Sequence, residues 1–333
     1  MNHLKDFCAK ALKSKKVDLE PVKNGGNNRG YRVTTEDRSC YLKEYYASDK
    51  NDRSRIRRES NFLSYCDKIG ENHVPELIAW DLTQNLLLQT YILGEKVDSD
   101  SIGEDEIDQC LKFIQRINTN GFISDSKITF DVASDACFSI LEHLSHVQRR
   151  YDRLNQVAVR TQTKLERDFG GFILNRVNPV LANLSAKLLD ASMTKSWDCL
   201  QDQRVISPSD FGFHNALKDS DGNVMFLDFE YAGLDDPLKL ICDFICQPQV
   251  PVRTDYLHKF YPLLEIRGIE SSEEVIQLCL PLYRLKWIAI ILGCFLEDHG
   301  KRRLYSQSAS SLQTHQLQQL EKAKSYFDTH IFI

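Results

Sequence analysis

The chain has 333 residues, 42% of them hydrophobic and 27% charged, with a net charge of −5 and a pI near 6.0. That is enough chain for two lobes sharing a cleft, with an apolar fraction ordinary for a globular protein. The acidic balance excludes a general binder of nucleic acid or of anionic membranes, leaves room only for a local basic patch, and points to a small molecule as the partner.

The 10 cysteines include no Cys-x-x-Cys pair, and Cys242 and Cys246 lie one helical turn apart among apolar residues. Small buried hydrophobes in a reducing compartment explain them better than disulfides or zinc. The N-terminal Met-Asn-His-Leu-Lys-Asp lacks the apolar segment of a signal peptide. The most apolar run, Trp287 to Leu296, is too short to span a bilayer and is expected as a buried core helix. A soluble cytoplasmic protein follows, with no nucleic-acid or membrane partner. Oligomeric state is left open.

In chain order, residues 3–16 suggest a helix ending in the solvated basic cluster Lys13 to Lys16. Between two strand-like pieces lies a glycine-rich turn. Its Gly25, Gly26 and Gly30 would lay backbone N–H groups against phosphates, although their spacing departs from Gly-x-Gly-x-x-Gly and equally suits an ordinary hairpin. The strand Ser39 to Tyr45 carries Lys43 among apolar neighbours, either an exposed lysine or one reaching α and β phosphates. A buried lysine needs an anionic partner to stay charged and aimed. Glu59 is that candidate, on a helix over 52–66 whose Ile56, Phe62, Leu63 and Cys66 mark the core side. Strands over 75–81 and 85–91 follow, then a hinge at 89–95. The expected division is a nucleotide-binding lobe over 1–92 and a helical lobe over 93–333. An adenine ring would lie between the apolar strands, reading backbone groups of Thr90, Tyr91 and Ile92.

Beyond 104 the periodicity is helical. Ile140, Leu144, Val147, Tyr151 and Leu154 form an apolar stripe opposite Arg149, Arg150 and Arg153, as core packing requires. A helical region over 162–191 is expected to restart at Asn178-Pro179, an N-cap followed by a proline of the first turn. Apolar helices are expected over 237–247 and 273–297, the latter with a capping box from Ser271 to Glu274. A polar helix over 309–328 would dock through Leu317 and Leu320.

The chemistry sits in between. In the catalytic loop 206–215, four residues separate Asp210 from Asn215, and Asp228 follows in an apolar strand over 224–230. A carboxylate at the end of a rigid element can orient a hydroxyl and accept its proton, which is the role expected of Asp210. Mg²⁺ takes one or two carboxylates together with phosphate and water, so Asn215 and Asp228 are its expected ligands. A hairpin turning at Asp221-Gly222 would set those two side by side. The spacing alone is common; in combination with the hairpin and Lys43 upstream it reads as a phosphoryl-transfer constellation.

Glycine loop, Lys43, Glu59, hinge, Asp210-x4-Asn215, Asp228-Phe-Glu230-Tyr-Ala-Gly and Asp236-Pro to Asp243-Phe together resemble the aminoglycoside phosphotransferase and choline kinase group, in letters most clearly over 206–244. The resemblance implies an α+β, protein-kinase-like bilobal fold, a small antiparallel-sheet lobe beside a larger helical one. It implies ATP, or GTP in its place, and Mg²⁺ as cofactors, with Asp210 as base, Asn215 and Asp228 on the metal, and Lys43 on phosphate oriented by Glu59. Pro208 stands where the family commonly has a scaffolding histidine. His214 is expected to fill space or bond the loop backbone rather than to act in catalysis.

No activation segment follows Asp228, which separates the chain from protein kinases and makes a small-molecule hydroxyl the expected acceptor, as in a sugar, an amino alcohol or an aminoglycoside. Glu230 and Asp235 would contact it, unless they and Asp236 serve as structural residues and helix caps. The non-enzymatic alternative is a kinase-like nucleotide-binding or scaffolding module, suggested by Pro208 and the irregular glycine loop.

Overall fold

The computed structural model describes residues 2–22, 28–46, 53–119, 128–194, 197–266, 272–296 and 312–331. Gly25, Gly26 and Ser271 lie outside them. The chain forms two compact units, one from Met1–Ser134 and Ile206–Leu234, the other from Asp135–Val205, Asp235–Leu304 and Ser308–Ile333. The expected hinge at 89–95 lies inside the first.

The first unit opens with α1 (Asn2–Leu12), which ends sooner than its basic tail suggests. Lys13 turns into the left-handed region at φ 52°, and the N–H groups of Ser14 and Lys13 close back onto the carbonyls of Ala9 and Lys10. That is a helix-stop made without glycine. Strands β1 (Asp18–Val22), β2 (Asn28–Thr34), β3 (Ser39–Tyr45), β4 (Leu77–Asp81) and β5 (Leu86–Thr90) form a five-stranded antiparallel sheet in the order β1-β2-β3-β5-β4. Side chains alternate between its faces. Val33, Cys40, Leu42 and Leu88 pack on one face with Leu4 and Cys8 of α1, which leaves Lys43 on the other.

Helix α2 (Arg53–Lys68) buries Ile56, Phe62, Leu63 and Cys66 as its periodicity requires. A short strand, β6 (Glu95–Lys96), appears where none is expected, because two residues carry no readable alternation. It pairs with β8 (Ala216–Lys218), which forms a hairpin with β9 (Val224–Phe226). The hairpin turns at Gly222, φ 85°, where the missing side chain admits the left-handed conformation; Asp219 braces the turn by accepting from the N–H groups of Asp221 and Asn223. Helix α3 (Glu104–Thr119) packs Phe113 on Phe226, with ring centroids 4.5 Å apart. Its Asn118 fixes β7 (Val205–Ser207) by accepting from Ile206 N at 2.8 Å and donating to Ile206 O at 3.0 Å.

The second unit is helical. Helix α4 (Ile140–Ala158) is capped by Ser139, and its stripe from Ile140 to Leu154 is buried. Helix α5 (Lys164–Phe172) starts with a Thr163–Glu166 capping box. No restart occurs at Asn178. It is itself helical and donates to Ile173 O, five residues back, so a π turn over Ile173–Val177 joins α5 to α6 (Asn178–Thr194). Proline lacks an N–H for the carbonyl four residues behind, and widening the turn accommodates Pro179 without breaking the helix.

Asp236 caps α7 (Pro237–Cys246), every residue of which is buried. Helix α8 (Tyr261–Ile266) precedes α9 (Ser272–Ile291). The apolar helical stretch Glu273–Phe295 is, against expectation, long and apolar enough to cross a membrane by length and composition, yet 67% of its most apolar window is buried within the protein, the setting of a core helix. The last helix, α10 (Leu312–His330), docks through Leu320, Ala323 and Phe327; Leu317, expected to join them, is half exposed.

Candidate active site

Lys43 and Glu59 meet because strand and helix turn their side chains to the same side of the sheet. Lys43 Nζ donates to Glu59 Oε1 at 2.6 Å and to Asp228 Oδ1 at 2.8 Å. Glu59 is fully buried, and its other oxygen accepts from the Tyr45 hydroxyl. Burial opposes the charge on Lys43, but the carboxylates of Asp228 and Glu59 outweigh it and raise the lysine's pKa. Lys43 is therefore a fixed cation, held from two directions.

Asp228 does not lie in a strand as expected. Strand β9 stops at Phe226, and Asp228 adopts φ 66°. Two physical causes end the strand. Leu227 N donates to Asn215 O at 2.8 Å, and Phe229 turns inward to stack on Phe62 at 4.4 Å. A left-handed non-glycine residue costs on the order of 1–3 kcal/mol and persists where its surroundings impose it. Here the turn aims the carboxylate at Lys43.

Asp210 follows β7 through a second such residue, Ser209 at φ 68°. Ser209 N donates to Ser207 Oγ, and its hydroxyl donates to Ser134 O. Asn215 Nδ2 donates to Asp210 O at 2.9 Å and to Asp210 Oδ2 at 3.2 Å. His214, expected to fill space or bond the loop backbone, has Nε2 3.1 Å from Asp210 Oδ1, because the helical turn Phe213–Asn215 brings its ring back over the carboxylate. The side chain braced at this loop is thus His214, four residues after the aspartate, with Pro208 holding the position two before it.

Glu230 is buried and accepts from Asn28 Nδ2 at 2.7 Å, with Arg55 Nη1 at 3.4 Å. Burial, and next the neighbouring Asp228, raise its pKa to about 7 against the pull of Arg55 and Lys43. Asp235 is also buried, accepting from Lys239 Nζ at 2.7 Å; burial raises its pKa despite that partner. To contact an acceptor, each would have to leave a buried pairing. Asp236 caps α7 through Leu238 N.

Gly30 stands in β2 opposite Lys43, where a Cβ would come within 2.0 Å of the Tyr41 hydroxyl. Thr90 closes β5, with its N–H on Glu76 O and its hydroxyl accepting from Glu76 N. Tyr91 lies under the Arg32 guanidinium, 4.9 Å from the ring centroid, and Ile92 follows it. Lys43, Glu59, Asp210, Asn215, Asp228 and Glu230 all belong to the first unit; Asp235 belongs to the second.

Three residues at the site were not singled out from sequence. Tyr45 shares Lys43's face two residues on, and Arg55 precedes Glu59 by one helical turn, so strand and helix periodicity point to both. Asn28 bears no local signal, since its partner is 202 residues away.

The model of the phosphotransferase enzyme family matches residues 18–244. No curated protein matches the sequence. Among solved structures, the chain is similar to the choline kinase LicA from Streptococcus pneumoniae, with 13% identity, 98% of this chain and 99% of that one covered, and a TM-score of 0.57. It is similar to the choline kinase from Cryptosporidium parvum Iowa II at 12% identity, with 99% and 97% covered and a TM-score of 0.56. Spectinomycin phosphotransferase APH(9)-Ia, in complex with ADP and spectinomycin, gives 15% identity, 96% and 98% covered, and a TM-score of 0.60. At these identities the likeness shows the fold, which is α+β and protein-kinase-like.

Proposed function

Because the chain belongs to the phosphotransferase enzyme family, we propose that it moves the γ-phosphoryl group of ATP to a hydroxyl of a small molecule such as a sugar, an amino alcohol or an aminoglycoside. Residues 1–92 serve as the nucleotide-binding lobe and 93–333 as the helical lobe. The observation that supports this best is the joined pair of clusters in one compact unit. Lys43 is held by Glu59 and Asp228, Asp210 by Asn215 and His214, and the Leu227–Asn215 backbone bond ties one cluster to the other.

Asp210 orients the acceptor hydroxyl and takes its proton as the acceptor oxygen bonds to the γ-phosphorus. The bond from phosphorus to the β–γ bridging oxygen breaks, and ADP leaves. Lys43, fixed as a cation, holds phosphate oxygens, and Glu59 keeps it aimed. Thr90, Tyr91 and Ile92 receive the base.

Asn215 and Asp228 fit Mg²⁺: an amide oxygen and a single carboxylate leave positions for phosphate oxygens and water. The Asn215 nitrogen is on Asp210, which leaves its oxygen as the ligating end. Bound there, Mg²⁺ would offset charge on the transferred phosphoryl group.

The test is a screen of choline, ethanolamine, spectinomycin and simple sugars for acceptor-dependent ADP release, with Asp210→Ala as the blank. Release by the wild type from ATP or GTP, reduced roughly 10²- to 10⁴-fold in the variant with nucleotide binding within about twofold, is expected on this reading. Undiminished release by Asp210→Ala would remove the base assignment. No nucleotide binding by the wild type would remove the whole reading.

A further inference from the structure

One buried amide oxygen beside this site has no hydrogen-bond partner among the described residues. Gln89, the penultimate residue of β5, is 3% exposed, and its Oε1 is buried with no hydrogen-bond partner among the described residues. Buried side-chain acceptors in native proteins are satisfied with few exceptions, so an orphan calls for an explanation.

Its position supplies one. Gln89 pairs with Tyr41 across β3 and β5, as Leu87 pairs with Lys43. Directly opposed residues share a face, so the amide stands on the Lys43 face of the sheet, one strand across and two residues along. Strand geometry puts their Cα atoms roughly 8 Å apart. Tyr41, which would otherwise cover the amide, leans the other way, its hydroxyl lying against Gly30 of β2. The residues that follow Gln89 are Thr90, Tyr91 and Ile92.

We propose that Gln89 reads the C6 substituent of the donor nucleotide's purine base. The inference rests on the function proposed above, since a base received at Thr90 to Ile92 with its phosphates toward Lys43 presents that edge to β5. A carboxamide has an acceptor and a donor end, exchanged by a half-turn of its terminal torsion. It accepts from the 6-amino group of adenine or donates to the 6-oxo group of guanine. Gln89 therefore makes the protein a user of both ATP and GTP. A leucine or methionine at this place would make neither bond.

The experiment is calorimetric titration of the full chain with ATP, GTP and purine riboside 5′-triphosphate, which has hydrogen at C6, for the wild type and for Gln89→Met, with thermal melting to verify folding. The wild type should bind ATP and GTP within about tenfold of each other, and each roughly five- to tenfold more tightly than the unsubstituted purine, the size of one net hydrogen bond. Gln89→Met should lose most of that step while binding the unsubstituted purine within about threefold of the wild type. An undiminished step in the variant overturns the proposal. Equal wild-type affinity for all three nucleotides, or a preference between ATP and GTP above about a hundredfold, overturns it without any variant. A wild type that binds the three equally well leaves the nucleotide-dependent function standing and removes only Gln89; one that binds none removes both.

Discussion

At the scale of single residues, several buried charges are held by partners remote in sequence. His143 is buried with Nε2 3.0 Å from Asp236 Oδ2 and Nδ1 2.5 Å from the Tyr283 hydroxyl. Burial disfavours its charged form, but hydrogen bonding to Asp236 outweighs that and raises the pKa from an ordinary 6.5 to about 9. The sign follows from linkage. A base whose folded pKa is raised contributes stability that is fully present below its unfolded pKa and lost as pH rises through the folded one. Unfolding free energy from denaturant titration should therefore fall between pH 6.5 and about 9, by up to about 3 kcal/mol from this residue. His143→Gln should be less stable than the wild type at pH 6, and the two curves should converge by pH 10. A wild-type curve flat across that window would show that the ring is neutral throughout.

At the scale of elements, close approach and docking yield two expectations. Gly170 of α5 lies against the end of α4, where a Cβ would meet the Ala158 carbonyl oxygen at 2.2 Å. The obstacle is backbone, so Gly170→Ala must push one helix from the other. It should lower the melting temperature with a loss of roughly 1–3 kcal/mol, despite alanine's better helix propensity. On α10, Leu320 is fully buried and Leu317 is 50% exposed. Leu320→Ala should cost roughly 2–5 kcal/mol in denaturant unfolding and Leu317→Ala under about 0.5 kcal/mol.

The same elements show what sequence can and cannot disclose. Strand β3 was legible to the residue because alternation marks both its faces, and the α4 stripe because 3.6-residue periodicity does the same for a helix. The hairpin was legible from Asp221-Gly222, although only the glycine takes positive φ. What escaped was set by tertiary partners. The Asp228 turn depends on Asn215 and Phe62, the helix through Pro179 on a widened turn, and the Glu230 cluster on Asn28 at the far end of the chain. Glu230 and Asp235 bear the letters of ligands, and only their burial distinguishes them from residues open to an acceptor.

For the molecule as a whole, all 10 cysteines are buried. Burial pushes the Cys8 thiol up to about 12, the Cys246 thiol likewise, and raises Cys110 and Cys242 well above the ordinary range. Thiolate is the reactive form, so Ellman's reagent should label less than about one thiol per native chain within minutes and all 10 after unfolding. Rapid labelling of several in the native protein would contradict the burial described.

The bond from Lys43 to Asp228 spans 185 residues, whereas the bond from Lys43 to Glu59 spans 16. A ribosome adding about 5–20 residues per second makes the first pair at once and needs roughly 8 to 34 s more to deliver the second carboxylate. Throughout that interval the nascent chain carries the lysine with half its counter-charge, and the loop bearing Asp210 arrives only shortly before Asp228. The chain thus acquires Asp210 and the second anchor of Lys43 almost together, late in synthesis, so a truncated product ending before residue 206 lacks both carboxylates.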